Sequence, residues 1–422
     1  MNNSSRTASS SRRPGRSSGG RFASNNSGGG NRRPSSRGGN NNSRGGGRGR
    51  GPRKTYINPN MFINRDVVEV KEEAKIKPDH MFSDFGFEEA LAKNIAARGY
   101  TEPTVIQDKA IPVIMEGGDV VGLANTGTGK TAAFLLPLIN RALINRSEKT
   151  IILAPTRELA LQIEEELHEF TRKQLGIFSV AVVGGAPIGR QISHLKQHNN
   201  FVVGTPGRIV DLMERKALDI SGFKNFVLDE ADRMLDMGFV NEMKHILSFM
   251  PEKKQGLLFS ATMSPKIKTL VKDFLVNPTE ISVVTRSTAE SVYQDIIRVE
   301  GRDKTDILHD LLADEKLSRV IVFGETKRGV EKLHKELSGR GHRTESMHGN
   351  KTQWQRKSSL EKFKAGRARV LIATDVVARG IDVEGVSHVI NYETPMTYED
   401  YVHRIGRTGR GDKKGVALTF VD

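Results

Sequence analysis

From about Asp79 to the last residue, short apolar runs alternate with longer stretches whose apolar residues recur at helical spacing. That alternation restricts the chain to parallel sheet with helices packed on its faces. Strands are expected at 119–123, 150–153, 180–183, 201–203, 226–228 and 256–259, with amphipathic helices such as 131–143 and 159–170 between them. A second series follows at 319–323, 344–347, 370–373, 388–391 and 416–421, and the polar stretch 285–293 between the two series reads as a linker. The fold class is therefore α/β, with one domain over 79–284 and another over 294–422. The 422 residues accommodate this, since a domain takes about 100–200 residues. No short fixed-period repeat suggests a solenoid.

The net charge of +15 is concentrated in one place. Residues 1–65 hold thirteen Arg, one Lys and no acidic residue, so 51 basic and 50 acidic groups remain for the rest. Rich in Arg, Gly, Ser and Asn and poor in large apolar side chains, this tail is expected to be disordered. Guanidinium groups along such a chain suit loose, salt-sensitive contact with phosphates, which makes it an RNA-gathering arm. A solubilising role stays open, because Phe22 is the only aromatic residue before Tyr56. The absence of cysteine excludes disulfides, thiolate metal sites and a cysteine nucleophile. No apolar run approaches the roughly 18 residues of a membrane helix. These features predict a soluble, cytoplasmic protein without membrane association.

The octet Ala124-Asn125-Thr126-Gly127-Thr128-Gly129-Lys130-Thr131 lies between an expected strand and an expected helix. Glycines there let backbone N–H groups turn onto phosphates, Lys130 brings a charge to the outer phosphates, and the Thr131 hydroxyl is placed to ligate Mg²⁺. The general motif begins with Gly where this one has Ala124. Further on, Phe226-Val227-Leu228 runs into Asp229-Glu230-Ala231-Asp232, which puts carboxylates just past the end of a buried strand. Asp229 is suited to hold Mg²⁺, largely through water, and Glu230 to orient and deprotonate an attacking water. Alone, such a cluster could simply match a helix dipole.

Together these motifs, in order from Phe82 to Arg410, resemble those of the DEAD-box RNA helicases of superfamily 2, bacterial type. The resemblance implies two tandem RecA-like domains, ATP and Mg²⁺ as cofactors, and RNA bound through its backbone without sequence preference. It makes Phe82 and Gln107 adenine-recognition residues, although Val105 stands where the family commonly has Pro. Thr126, Gly127, Thr128, Gly129, Lys130 and Thr131 would hold phosphates, and Gly380 and Asp382, within Arg379-Gly380-Ile381-Asp382, would reach the nucleotide from the second domain. Pro155, Thr156, Arg157, Gly185 after Gly184, Thr205, Pro206, Gly207, Arg208, Arg356 and Thr374 resemble RNA-backbone contacts. Ser260, Thr262 and His403 resemble residues that couple ATP state to strand separation. Arg407 and Arg410 resemble fingers that stabilise the transferring γ-phosphoryl group, with Arg404 in support.

The implied activity is ATP-dependent unwinding of short RNA duplexes, or remodelling of RNA–protein complexes, through closure of the two domains. An ATP-gated RNA clamp would carry the same motifs, and an annealing chaperone acting through the tail is a further alternative. Ribonucleoprotein or ribosomal partners are possible on this reading, with a monomer as the default state.

Overall fold

The computed structural model describes residues 57–65, 78–125, 127–172, 175–283, 292–378, 383, 385–409 and 415–422. Of the expected site residues, Thr126, Gly380, Asp382 and Arg410 lie outside these, as do residues 1–56 of the tail and 285–291 of the linker.

The first lobe is built on seven strands: β1 (Val120–Leu123), β2 (Thr150–Leu153), β3 (Ser179–Val182), β4 (Phe201–Gly204), β5 (Asn225–Leu228), β6 (Gln255–Ser260) and β7 (Thr279–Ser282). They pair in parallel in the order β3-β4-β2-β5-β6-β1-β7. Every residue of β2, β4, β5 and β6 is buried, which is why these strands are continuous apolar runs rather than alternating ones. One face packs Phe134, Ile139, Ile163 and Leu167 from the helices Lys130–Ile144 and Arg157–Phe170. The other packs Leu212, Met234, Met243, Ile246 and Ile267.

The strand order decides where chemistry can gather. Since β5, β6 and β1 are neighbours, the loops leaving their carboxyl ends, at Asp229, Ala261 and Ala124, emerge side by side. The loops after β3, β4 and β2, at Val183, Thr205 and Ala154, form a second group along the same rim. Ligands of open α/β sheets bind at this rim.

The second lobe has six parallel strands in the order β10-β11-β9-β12-β13-β8. They are β8 (Val292–Arg298), β9 (Val320–Phe323), β10 (Thr344–Met347), β11 (Val370–Ala373), β12 (His388–Asn391) and β13 (Gly415–Val421). Its core lies on both faces, around Leu308, Val330 and Leu337 on one and Met347, Phe363 and Val389 on the other.

Three expectations need correction. Asp119 is not part of β1: its carboxylate accepts the backbone N–H groups of Gly256 and Val276, bracing the strand from outside. The linker was expected to reach residue 293, yet Val292 and Tyr293 already pair with Gly415 and Val416 in the second sheet. The disordered tail was expected to run to residue 65, but residues 57–65 are folded, with Phe62 fully buried and Asn64 bridged to Gln294. One large apolar side chain with a pocket to fill outweighs the polar composition around it.

Candidate active site

The phosphate-type loop closes on itself. Lys130, only 7% exposed, donates from Nζ to the Ala124 carbonyl at 2.9 Å, and Thr128 Oγ1 donates to the Asn125 carbonyl at 2.9 Å. Gly129 takes φ of 90° as it enters the helix Lys130–Ile144, a conformation open to glycine and costly to other residues. No side chain caps that helix start, so its first N–H groups keep their capacity for an anion.

Gln107 holds the loop from behind. Its Oε1 accepts the Thr104 N–H at 2.8 Å and its Nε2 donates to the Gly129 carbonyl at 3.0 Å. A carboxamide has a second N–H and a second lone pair, so this anchoring leaves it able to meet an adenine edge. Phe82 begins a 3₁₀ turn and is 5% exposed, its ring lying edge-on to Phe85 and Tyr100 at 5.9 and 5.6 Å between centroids.

Beside the loop, Asp229 is 3% exposed and accepts the Glu230 N–H at 2.9 Å. Burial pushes its pKa up to about 6; Lys130 opposes that shift, while the neighbouring charges of Glu230 and Asp232 add to it. Glu230 sits at φ of 50° at the start of the helix Ala231–Asp236, a left-handed conformation that costs a residue with a side chain about 1–2 kcal/mol. Its Oε2 is buried with no hydrogen-bond partner among the described residues. A strained backbone carrying an unsatisfied carboxylate oxygen is a combination retained where function requires it.

These groups fit a hard cation. The Asp229 carboxylate and the hydroxyl of Thr131, which follows Lys130 in the phosphate-type loop, are oxygen donors of the kind Mg²⁺ takes. Among the described residues no group of three or more His, Cys, Asp or Glu side chains could hold a metal ion.

Asp232 links two motifs. Its Oδ2 accepts from the Ala261 N–H at 3.1 Å and the Thr262 hydroxyl at 3.5 Å, while Ser260 Oγ donates to the Thr262 carbonyl at 2.8 Å. The loops after β5 and β6 are thereby joined.

The second group of loops is bound together by arginines. Thr156 caps the helix Arg157–Phe170 by accepting the Leu159 N–H at 3.2 Å, immediately after Pro155. The Arg157 guanidinium lies so close to Gly185, at φ of 78°, that a side chain there would overlap it. Burial lowers the Arg157 pKa, and the neighbouring Arg356 adds to that effect. Arg208, following Thr205, Pro206 and Gly207, donates to Gln191 Oε1 at 2.9 Å and to the Ala186 carbonyl at 3.3 Å.

Arg356 departs from the expectation of a residue simply facing RNA. From the second lobe its Nη1 donates to Glu158 Oε1 of the first at 3.0 Å, and Nη2 reaches the Gly349 carbonyl at 3.3 Å. Gln353 adds a 3.4 Å contact to the same Glu158 oxygen. Glu158 and Arg356 are buried, so removing either partner of such a pair costs about 3–5 kcal/mol through the charge left behind. Nothing local in the sequence around Glu158 announces a partner 198 positions away.

In the second lobe, Thr374 is buried at the end of β11 with its N–H on the Met347 carbonyl at 3.2 Å. Arg404 is bound bidentately by Asp375 at 2.6 and 2.7 Å. Arg407 is 5% exposed and lines a small pocket with Phe323, Asp375, Ala378, Asp400, His403 and Arg404, all from its own lobe.

Two family models match the chain, "DEAD/DEAH box helicase" over residues 104–270 and "Helicase conserved C-terminal domain" over 303–412. The chain is similar to the ATP-dependent RNA helicase CshA of Listeria monocytogenes, 46% identical over 342 residues that make up 81% of this chain and 66% of that protein. It is also similar to the DEAD-box ATP-dependent RNA helicase CshA of Bacillus cereus, 45% identical over 81% of this chain and 65% of that protein. The chain thus spans slightly under two thirds of the length of these relatives. Among solved structures, S. cerevisiae Dbp5 bound to RNA and ADP BeF3 matches with a TM-score of 0.70 and 33% identity, over 81% of this chain and 89% of that one.

Proposed function

The chain belongs to the DEAD-box helicases, and on that premise we propose that it is an RNA-dependent ATPase that separates short RNA duplexes or remodels RNA–protein complexes. The observation that carries this reading is the division of the chemistry. Lys130, Asp229 and Glu230 gather at the rim of one sheet, while Arg407 sits in a pocket made only by the other lobe. Neither lobe is a complete ATPase on this reading.

ATP is the substrate. Gln107 and Phe82 would flank its base, and the loop Gly127–Thr131 would receive its phosphates. Mg²⁺, held by Thr131 and Asp229 largely through water, would neutralise phosphate charge when bound. Glu230 positions a water and takes its proton as the water oxygen bonds to the γ-phosphorus and the bond to the ADP oxygen breaks. Arg407, with Arg410, stabilises the charge developing on the transferring group. Turnover therefore requires closure of the lobes.

RNA contact at Arg157, Gly185, Thr205, Arg208 and Thr374 would draw on backbone phosphates and hydroxyls, giving affinity without base reading. The Glu158–Arg356 pair joins lobes at this face, so RNA bound there and nucleotide bound at the neighbouring group of loops on the same rim act on one conformational equilibrium. The expected result is strand displacement of a short RNA duplex by the full chain with ATP, and none with ADP. ATP hydrolysis without strand displacement in the same preparation would identify a clamp instead.

A further inference from the structure

We propose that residues 57–65 form a strap that sets the position of the Arg407-bearing segment, making Phe62 a positioning residue for ATP hydrolysis; the inference rests on the function proposed above. These residues precede the first lobe in the chain yet pack on the second. Asn58 accepts the Asn60 N–H at 3.0 Å and starts the 3₁₀ turn Pro59–Phe62. That turn drives Phe62 into a pocket formed by Val292, Tyr401, Ile405, Ala417 and Val421, where it is 0% exposed. Its ring centroid lies 4.6 Å from that of Tyr401.

Two further contacts fix the strap along β8, the edge strand of its sheet. Asn64 exchanges backbone hydrogen bonds with Gln294 at 2.9 and 2.8 Å, and Arg65 donates to both carboxylate oxygens of Asp295 at 3.2 and 3.0 Å. The Gln294 side chain in turn accepts from the Tyr401 hydroxyl at 2.9 Å. Strap, edge strand and helix Tyr398–Ile405 are thus one hydrogen-bonded and apolar unit.

That helix carries His403 and Arg404 and leads directly into Arg407. One of its flanks is fixed by Arg404 on Asp375, and the other by Tyr401 and Ile405 against Phe62. With Phe62 removed, Tyr401 and Ile405 lose the ring that fills their shared pocket, so one flank of the helix that leads to a phosphoryl-contacting guanidinium is loosened while Arg404 on Asp375 and the Tyr401 hydroxyl on Gln294 remain. Misplacement of a catalytic group by about 1 Å can cost on the order of 100-fold in rate.

The test is steady-state RNA-stimulated ATPase of the full chain and of Phe62→Ala, with ATP affinity measured separately without RNA. The expected result is a kcat lowered about tenfold or more, while ATP affinity stays within about twofold because the nucleotide loop lies in the other lobe. Phe62→Leu should fall between, and it carries the test should Phe62→Ala fail to fold. Folded variants with unchanged kcat, or with kcat and ATP affinity falling together, overturn the strap alone. A wild-type chain without RNA-stimulated turnover removes the parent reading and the strap inference with it.

Discussion

Replacing Glu230 with glutamine is expected to lower kcat for ATP hydrolysis about 10²–10⁴-fold while ATP and RNA still bind. The loss corresponds to about 3–5 kcal/mol of barrier lowering. Glutamine keeps the size of the side chain and can still orient a water, but it cannot accept the water's proton. The Glu230 Oε2 atom has no partner among the described residues, so the substitution breaks no hydrogen bond of the resting protein at that atom. The groups proposed to hold the nucleotide, Lys130 on Ala124 and Gln107 on Gly129, are not touched by it. Single-turnover kinetics check the first half of the expectation, and equilibrium binding checks the second.

A pH dependence accompanies this change. Asp229 titrates near 6, above its ordinary range, so in the folded protein it is protonated at pH values where an unfolded chain would already be ionised. Its burial therefore costs stability as pH rises from about 4 through 6. Holding Mg²⁺ requires the ionised form, so affinity for the metal–nucleotide complex should weaken as pH is lowered through about 6. Because the charge of Glu230 is one of the groups raising Asp229, the midpoint should move down in Glu230→Gln. Turnover within tenfold of the wild type would remove Glu230 from the proton-accepting role.

Arg407→Ala is expected to have the larger effect, a loss of about 10³–10⁵ in RNA-stimulated turnover. A finger acts only where charge develops in the transition state, so ATP affinity without RNA should stay unchanged. That split separates catalysis from scaffolding, because Arg407 is also buried among Asp375, Asp400 and His403. Arg407→Lys should restore little, since an ammonium lacks the planar fork that spans two phosphate oxygens. Turnover within tenfold of the wild type in folded Arg407→Ala would remove Arg407 from the charge-stabilising role.

The sheets were legible in the sequence because fully buried parallel strands are continuous apolar runs, as in Ile151–Leu153 and Phe226–Leu228. β7 was not, since Ile281 is its only buried residue. β8 was missed because polar residues such as Gln294 and Asp295 sit among its apolar ones, the Gln294 side chain being used for the Tyr401 hydroxyl. The phosphate-type loop and the carboxylates stood out because each is a contiguous run in the sequence. The Glu158–Arg356 pair, the Asp232 link to Thr262 and the docking of Phe62 on Tyr401 could not be read, since each depends on residues brought together only by the fold. The strap also changes how the tail must be studied. A chain beginning near Asp79 loses Phe62 along with the arginines, whereas one beginning at Lys54 loses the arginine-rich tail alone.

The central claim is that ATP and RNA favour one closed arrangement of two incomplete lobes. The most direct measurement is the affinity of the full chain for single-stranded oligouridine with and without a non-hydrolysable ATP analogue, paired with the affinity for the analogue with and without the RNA. The account predicts that each ligand tightens the other by the same factor, about 5–150-fold. Affinities that do not respond to the second ligand would contradict it.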